Sequence, residues 1–124
     1  MNCLSQEFHH VGILAEESGV HEGNSEWSWI IDPLDGTRNY ANGVPIFAVT
    51  LALARGAEVF IGVTYDPNRD ELFYASKGEG AFLNGTRIRV AEKNKFQGVV
   101  VGTDMGYDAE RGSHALELLN RLWP

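Results

Sequence analysis

The sequence predicts an α/β fold of the α+β kind, a largely antiparallel sheet with flanking helices. Two observations carry this. About seven apolar runs of strand length are separated by Gly, Pro, Asn and Asp at hairpin spacing. The one strongly periodic helical segment comes after those runs, whereas a parallel sheet would alternate strands with helices.

The elements follow in order. Val11–Ala15 is a short apolar strand that ends in Glu16-Glu17-Ser18-Gly19. Residues 19–26 are polar and glycine-bearing, which reads as a loop. Trp27–Ile31 is a second, buried strand, with Trp27 and Trp29 on one sheet face and Ser28 between them. Thr37 to Gly43 reads as one or two helical turns closed by Gly43, and Pro45 stops any continuation. Ile46–Ala54 and Glu58–Tyr65 are strands turned by Arg55-Gly56 and by Asp66-Pro67-Asn68 respectively. Glu71–Ala75 is a short aromatic strand. Ala81–Leu83 and Thr86–Val90 form a hairpin, because Asn84-Gly85 suits a type I′ turn. Gln97–Thr103 is a last strand. Ala115, Leu118, Leu119 and Leu122 then recur at helical spacing, with Ser113 as the expected N-cap, before Trp123-Pro124.

Composition bounds the function. The chain has 124 residues, 44% hydrophobic and 22% charged, which fits one soluble globular domain. A net charge of −7 argues against nucleic-acid and anionic-membrane partners. It would also repel a phosphorylated substrate, so a bound cation would have to reverse the local sign. Cys3 is the only cysteine, so no intrachain disulfide forms, in keeping with a reducing, cytoplasmic setting. No apolar run approaches the roughly 20 residues of a membrane span, and the first residues lack the basic start and apolar centre of a signal peptide. The sequon Asn84-Gly85-Thr86 is therefore read as a turn.

The chemistry concentrates at Asp32-Pro33-Leu34-Asp35-Gly36-Thr37, where a core strand emerges. Crowded oxygen donors on a rigid turn are what a hard divalent cation such as Mg²⁺ requires. Glu16, Asp32 and Asp35 all lie just past predicted strands and are the candidate ligands, joined by the Leu34 carbonyl. Solvated loop acids are the competing reading, and for Glu17, Glu22 and Glu26 the preferred one. Gly36 and Thr37 offer backbone N–H groups for phosphate oxygens. The Thr37 hydroxyl is suited to orienting a water and Glu16 to taking its proton, although Thr37 could equally be a plain N-cap. His9 and His10 are adjacent and in a strand would face opposite ways, so with His21 and His114 they read as surface histidines. Gly78-Glu79-Gly80 lacks the third glycine of a dinucleotide fingerprint, and no nucleotide-triphosphate loop or Gly-x-Ser-x-Gly elbow occurs.

These blocks together resemble the inositol monophosphatase family. Trp29-Ile-Ile-Asp-Pro-Leu-Asp-Gly-Thr37 with Asn39 is similar to its signature, and Ile13-Leu-Ala-Glu-Glu-Ser18 to its first metal-binding motif. Gly62–Pro67, Glu71–Ala75 and Gly78–Gly85 resemble its middle strands. The resemblance implies a layered sugar-phosphatase sandwich and Mg²⁺-dependent hydrolysis of a small phosphomonoester. It assigns metal binding to Glu16, Asp32, the Leu34 carbonyl and Asp35. It assigns substrate contacts to Leu34, Asp35, Gly36 and Thr37, and activation of water to Thr37 with Glu16. The metals would serve as template, Lewis acid and source of hydroxide. Family members are longer, with two helices before this region and a later metal-binding aspartate. The expectation is thus that residues 1–124 are a single partial domain, a metal- and phosphate-binding sheet lacking its N-terminal helices and C-terminal domain. Such a piece should expose apolar surface and tend to homo-oligomerise. A catalytically impaired fragment that keeps only metal and phosphate binding is the alternative function. Fructose 1,6-bisphosphate and 3′(2′),5′-bisphosphate nucleotides are the alternative substrates.

Overall fold

The computed structural model describes residues 2–16, 19–21, 23–93, 95 and 98–122. Glu17, Ser18, Glu22, Gln97 and Trp123-Pro124 lie outside the described residues, so the readings placed on them are not addressed. The chain divides into two compact units, residues 1–90 and 91–124.

The first unit is a single eight-stranded sheet: β1 (Gly12–Ala15), β2 (Gly19–His21), β3 (Trp27–Asp35), β4 (Ala48–Arg55), β5 (Glu58–Asp66), β6 (Glu71–Ser76), β7 (Gly80–Leu83) and β8 (Thr86–Ile88). Its order is β2-β1-β3-β4-β5-β6-β7-β8. Every neighbouring pair is antiparallel except β1 with β3. The fold is therefore mixed α+β on a largely antiparallel sheet, as the hairpin spacing implies. Two short helices complete the unit, α1 (Asn2–Glu7) and α2 (Thr37–Ala41).

The core sits where β1 and β3 run side by side. Ile13, Ala15, Trp29 and Ile31 are buried, with Leu4, Val11, Leu51 and Leu53 packed against them. The Phe8 ring meets Trp29 edge-on at 5.7 Å. Trp27, on the same face, meets Phe60 at 4.8 Å. The opposite face is also apolar. One row of paired positions reads Leu14, Ile30, Ala52, Gly62, Ala75, Ala81 and Ile88 across seven strands. Leu14 and Ile30 in that row are 44% and 39% exposed. Exposed apolar surface is thus present, as expected of this sequence.

Several local expectations hold for stated reasons. Asn84 and Gly85 both take positive φ (47° and 80°), which a type I′ turn needs. The Asn84 amide is engaged in the fold, accepting from Leu72 N–H and donating to the Asp70 carbonyl. Gly43, at φ 70°, closes α2, its N–H donating to the Tyr40 carbonyl. Asp66 closes the turn after β5, accepting from the backbone N–H groups of Asn68 and Arg69 and from the Arg69 guanidinium.

Other expectations are corrected. Residues 19–21 form β2, because their backbone completes the open edge of β1. A short helix, α1, precedes the sheet, held by Leu4 on the core. His9 and His10 are exposed, as expected of surface histidines, but they occupy a turn and not a strand, with rings 5.4 Å apart. In the second unit, residues 98–103 form no strand: Gly98 takes φ 77° and Val100 is 96% exposed, and β-propensity acts only through a paired neighbour. The helix α3 (Ala109–Leu122) starts before Ser113, because Asp108 is its N-cap: Asp108 Oδ1 accepts the Arg111 N–H at 2.8 Å.

Two predictions follow from the packing and the turn. Ile31→Val should lower stability to urea by about 0.5–1.5 kcal/mol, while Val59→Thr on the exposed surface should change it by less than about 0.5 kcal/mol. Partial burial pushes the Asp66 carboxyl up, but the Arg69 guanidinium and the two backbone N–H donors outweigh it and hold it below the usual range. A depressed carboxyl contributes stability above its unfolded-state pKa and loses it as pH falls through the folded-state value. The Asn68 and Arg69 amides should lose exchange protection as the pH is lowered through and below the ordinary carboxylate range, with no such change between pH 6 and 8.

Candidate metal and phosphate site

Three features of the chain build the candidate site. The first is the parallel pairing of β1 with β3. Ala15 pairs with Ile31, and the Glu16 N–H donates to the Ile31 carbonyl at 3.2 Å. The ladder thus brings Glu16 alongside Asp32, one rung beyond the buried pair. Alternation along the strands then directs Asp32 away from the core face occupied by Trp29 and Ile31.

The second feature is a bulge. Asp32 pairs with Thr50 and Asp35 with Ala48, so Pro33 and Leu34 stand opposite Val49 alone. Proline has no N–H to give the ladder, and a bulge is where a sheet tolerates it. The Asp32 carboxylate stabilises the break itself: Oδ1 accepts the Leu34 N–H at 3.0 Å. β3 thus runs through Asp35, four residues beyond the expected strand end.

The third feature is the turn into α2. Gly36 is the N-cap in the left-handed conformation, φ 88° and ψ 35°, with no side-chain cap. Thr37 is accordingly the first helical residue and not the N-cap. Its hydroxyl donates to the Leu34 carbonyl at 3.0 Å. A Cβ at position 36 would stand 2.9 Å from the Ile46 carbonyl oxygen and 3.3 Å from the Phe47 Cα. Only glycine fits both the backbone angle and the space.

The donors are all oxygens, which suits a hard divalent cation in kind. The Leu34 carbonyl keeps a second lone pair beside the Thr37 hydroxyl. Among the described residues, however, no group of three or more His, Cys, Asp or Glu side chains stands close enough to hold a metal ion. The common convergence of the Glu16, Asp32 and Asp35 carboxylates is therefore not formed with the side chains as placed. The physical reason lies in part with Asp32, whose carboxylate is turned onto its own bulge. The backbone places Asp32 and Asp35 on one turn and Glu16 on the neighbouring rung.

Sequence reasoning gave no role to two neighbours, one of which, Asn39, it named only as part of the signature. Thr50 faces Asp32 across the ladder but lies inside an apolar run. Asn39 stands in the motif, yet its contact with Ile46 joins positions seven apart and leaves no periodic signal.

The family model of the inositol monophosphatase family matches residues 1–122. An inositol-1-monophosphatase of Mesorhizobium japonicum is 44% identical over 112 residues, covering 88% of this chain and 42% of that protein. The Nus factor SuhB of Haemophilus influenzae is 50% identical over 92 residues, covering 73% of this chain and 34% of that protein. Among solved structures, the extragenic suppressor protein suhB of Bartonella henselae superposes with a TM-score of 0.89 at 41% identity, over 96% of this chain and 47% of that one. The chain thus spans less than half the length of these relatives.

Gly36→Ala should destabilise the fold by about 1–3 kcal/mol through its positive φ, with further loss from the Ile46 contact. Urea unfolding measures this. Gly56→Ala, where φ is 58° but no atom lies within 4 Å, separates the clash from the backbone cost.

Proposed function

The chain belongs to the inositol monophosphatase family, and from that premise we propose that its site takes part in Mg²⁺-dependent hydrolysis of a small phosphomonoester such as inositol monophosphate. The observation that carries this reading is the β3 bulge, which sets Asp32, the Leu34 carbonyl, Asp35 and the Thr37 hydroxyl on one turn beside the rung of Glu16.

In this reading Glu16, Asp32, Asp35 and the Leu34 carbonyl hold the metal. Bound there, Mg²⁺ supplies charge neutralisation, Lewis acidity and a more acidic water. Thr37, fixed by its bond to Leu34, orients the attacking water, and Glu16 accepts its proton. Gly36 and Thr37, with Leu34 and Asp35, contact the substrate phosphate. The water oxygen adds to phosphorus, the ester P–O bond breaks, and the departing alkoxide takes up the proton that the water gave to Glu16. The net acidity of the chain favours a small substrate carried to a cation over a nucleic-acid partner. Its single cysteine and the absence, among the described residues, of any helix long and apolar enough to cross a membrane are compatible with the cytoplasmic setting we propose. Apolar rows on both sheet faces make self-association part of the reading.

A second reading has its own support. The chain covers 42% of the inositol-1-monophosphatase it matches. Residues 1–124 would then be a partial domain that binds metal and phosphate without turnover. Another relative is named Nus factor SuhB, and in this second reading the chain acts as an interaction module.

Asp32→Asn separates these readings cleanly, because asparagine Oδ1 still accepts the Leu34 N–H while losing the charge. Hydrolysis of inositol 1-phosphate, fructose 1,6-bisphosphate and a 3′,5′-bisphosphate nucleotide should be measured with and without Mg²⁺. Turnover that requires Mg²⁺ and falls by about 100-fold or more in Asp32→Asn supports the enzyme. Mg²⁺ binding without turnover supports the partial domain, and the absence of both contradicts the site.

A further inference from the structure

The turn that carries Leu34, Gly36 and Thr37 is half-buried at Leu34 and Gly36 and exposed at Thr37, and the short helix α2 follows it. Within that helix, Asn39 makes two contacts that leave it. Its side-chain Nδ2 donates to the Ile46 carbonyl at 2.8 Å, and its backbone carbonyl accepts the Val44 N–H at 2.8 Å. Ile46 is also the residue whose carbonyl oxygen would stand 2.9 Å from a Cβ on Gly36. Asn39 therefore grips the loop segment against which the Gly36 backbone lies. The Tyr40 N–H donates to the Gly36 carbonyl at 3.0 Å, and the Tyr40 ring meets Phe47 edge-on at 5.0 Å. One side of the turn is thus set by the β3 bulge, and the other by this clasp between α2 and residues 44–47.

We infer that Asn39 is a positioning residue for the proposed metal-binding turn: its amide fixes the 44–47 segment against Gly36 and so holds the Leu34 carbonyl and Thr37 hydroxyl in place. The inference rests on the proposed function, since it concerns the same turn. The chemistry at position 39 is specific. The group must donate, because its partner is a carbonyl. It must also be short, because the Ile46 carbonyl is met at 2.8 Å by the terminal nitrogen of an asparagine. An aspartate has the same shape but no donor, and would set a negative charge against the carbonyl oxygen. A histidine can present Nδ1–H near the position of Nδ2.

The test uses the ¹⁵N-labelled 124-residue chain as wild type, Asn39→Asp and Asn39→His. Two readouts are followed: ligand-free amide exchange at Tyr40 and Val44, and the shifts of the Leu34 and Thr37 amides on titration with Mg²⁺. Exchange faster by tenfold or more and Mg²⁺ affinity weaker by fivefold or more in Asn39→Asp, both restored to within twofold in Asn39→His, is the expected result. The β5 and β6 amides, remote from α2, should be unchanged. Faster exchange with unaltered Mg²⁺ affinity would mean a purely structural clasp and would overturn the inference, as would unaltered exchange. If Asn39→Asp does not fold, Asn39→Ser, which withdraws the donor from reach, is judged by the same criteria. Failure of the wild type to show any Mg²⁺-dependent shift at Leu34 and Thr37 would remove the functional reading and the inference together. Wild-type binding matched by Asn39→Asp removes only the inference.

Discussion

The site depends on one pairing, the parallel alignment of β1 with β3. Every other neighbouring pair in the sheet is antiparallel and joins strands consecutive in the chain or, for β3 with β4, strands linked through α2. This pair requires the chain to leave β1, add β2 along the outer edge and return beside β1 in the same direction. Four apolar side chains, Ile13, Ala15, Trp29 and Ile31, stabilise it by leaving water together. The rung after the last buried pair is then fixed without further specification, and it carries Glu16 beside Asp32. A one-residue slip would turn Ile13 and Ala15 out of the core, so the hydrophobic pattern enforces the register of the carboxylates.

The second constraint is that β3 cannot stay regular. Pro33 has no N–H for the β4 ladder, and the bulge that accommodates it frees the Leu34 carbonyl to accept the Thr37 hydroxyl. Gly36 then takes a backbone angle that other residues avoid, at a distance from Ile46 that a side chain would violate. The motif reads as chemistry, yet half of its letters are there for backbone geometry. Asp32 serves both purposes, as a charge and as the acceptor that holds the bulge.

The sequence made much of this legible. The Asn84-Gly85 hairpin, the Gly43 helix stop and the core strands carry local signals strong enough to read directly, since each depends on residues within a few positions. The order of the site residues along β3 was equally plain. What was not legible depended on contacts across the chain. β2 is polar and glycine-bearing, and exists because β1 offers it an edge. Residues 98–103 have the composition of a strand and no ladder to join. Ser113 looked like a cap, but Asp108 lies at the position that the Arg111 N–H can reach. Whether Glu16, Asp32 and Asp35 point at one another was beyond sequence spacing altogether, and in the structure the Asp32 carboxylate is engaged by the bulge.

The central claim is that these three carboxylates can serve one cation. Carboxyl ¹³C signals of Glu16, Asp32 and Asp35, followed during titration with Mn²⁺, test it most directly. The account predicts that all three broaden together at low Mn²⁺, that Glu26 and Glu58 do not, and that excess Mg²⁺ restores them. Broadening of Asp32 and Asp35 with Glu16 untouched, or uniform weak broadening of every exposed acid, would contradict it.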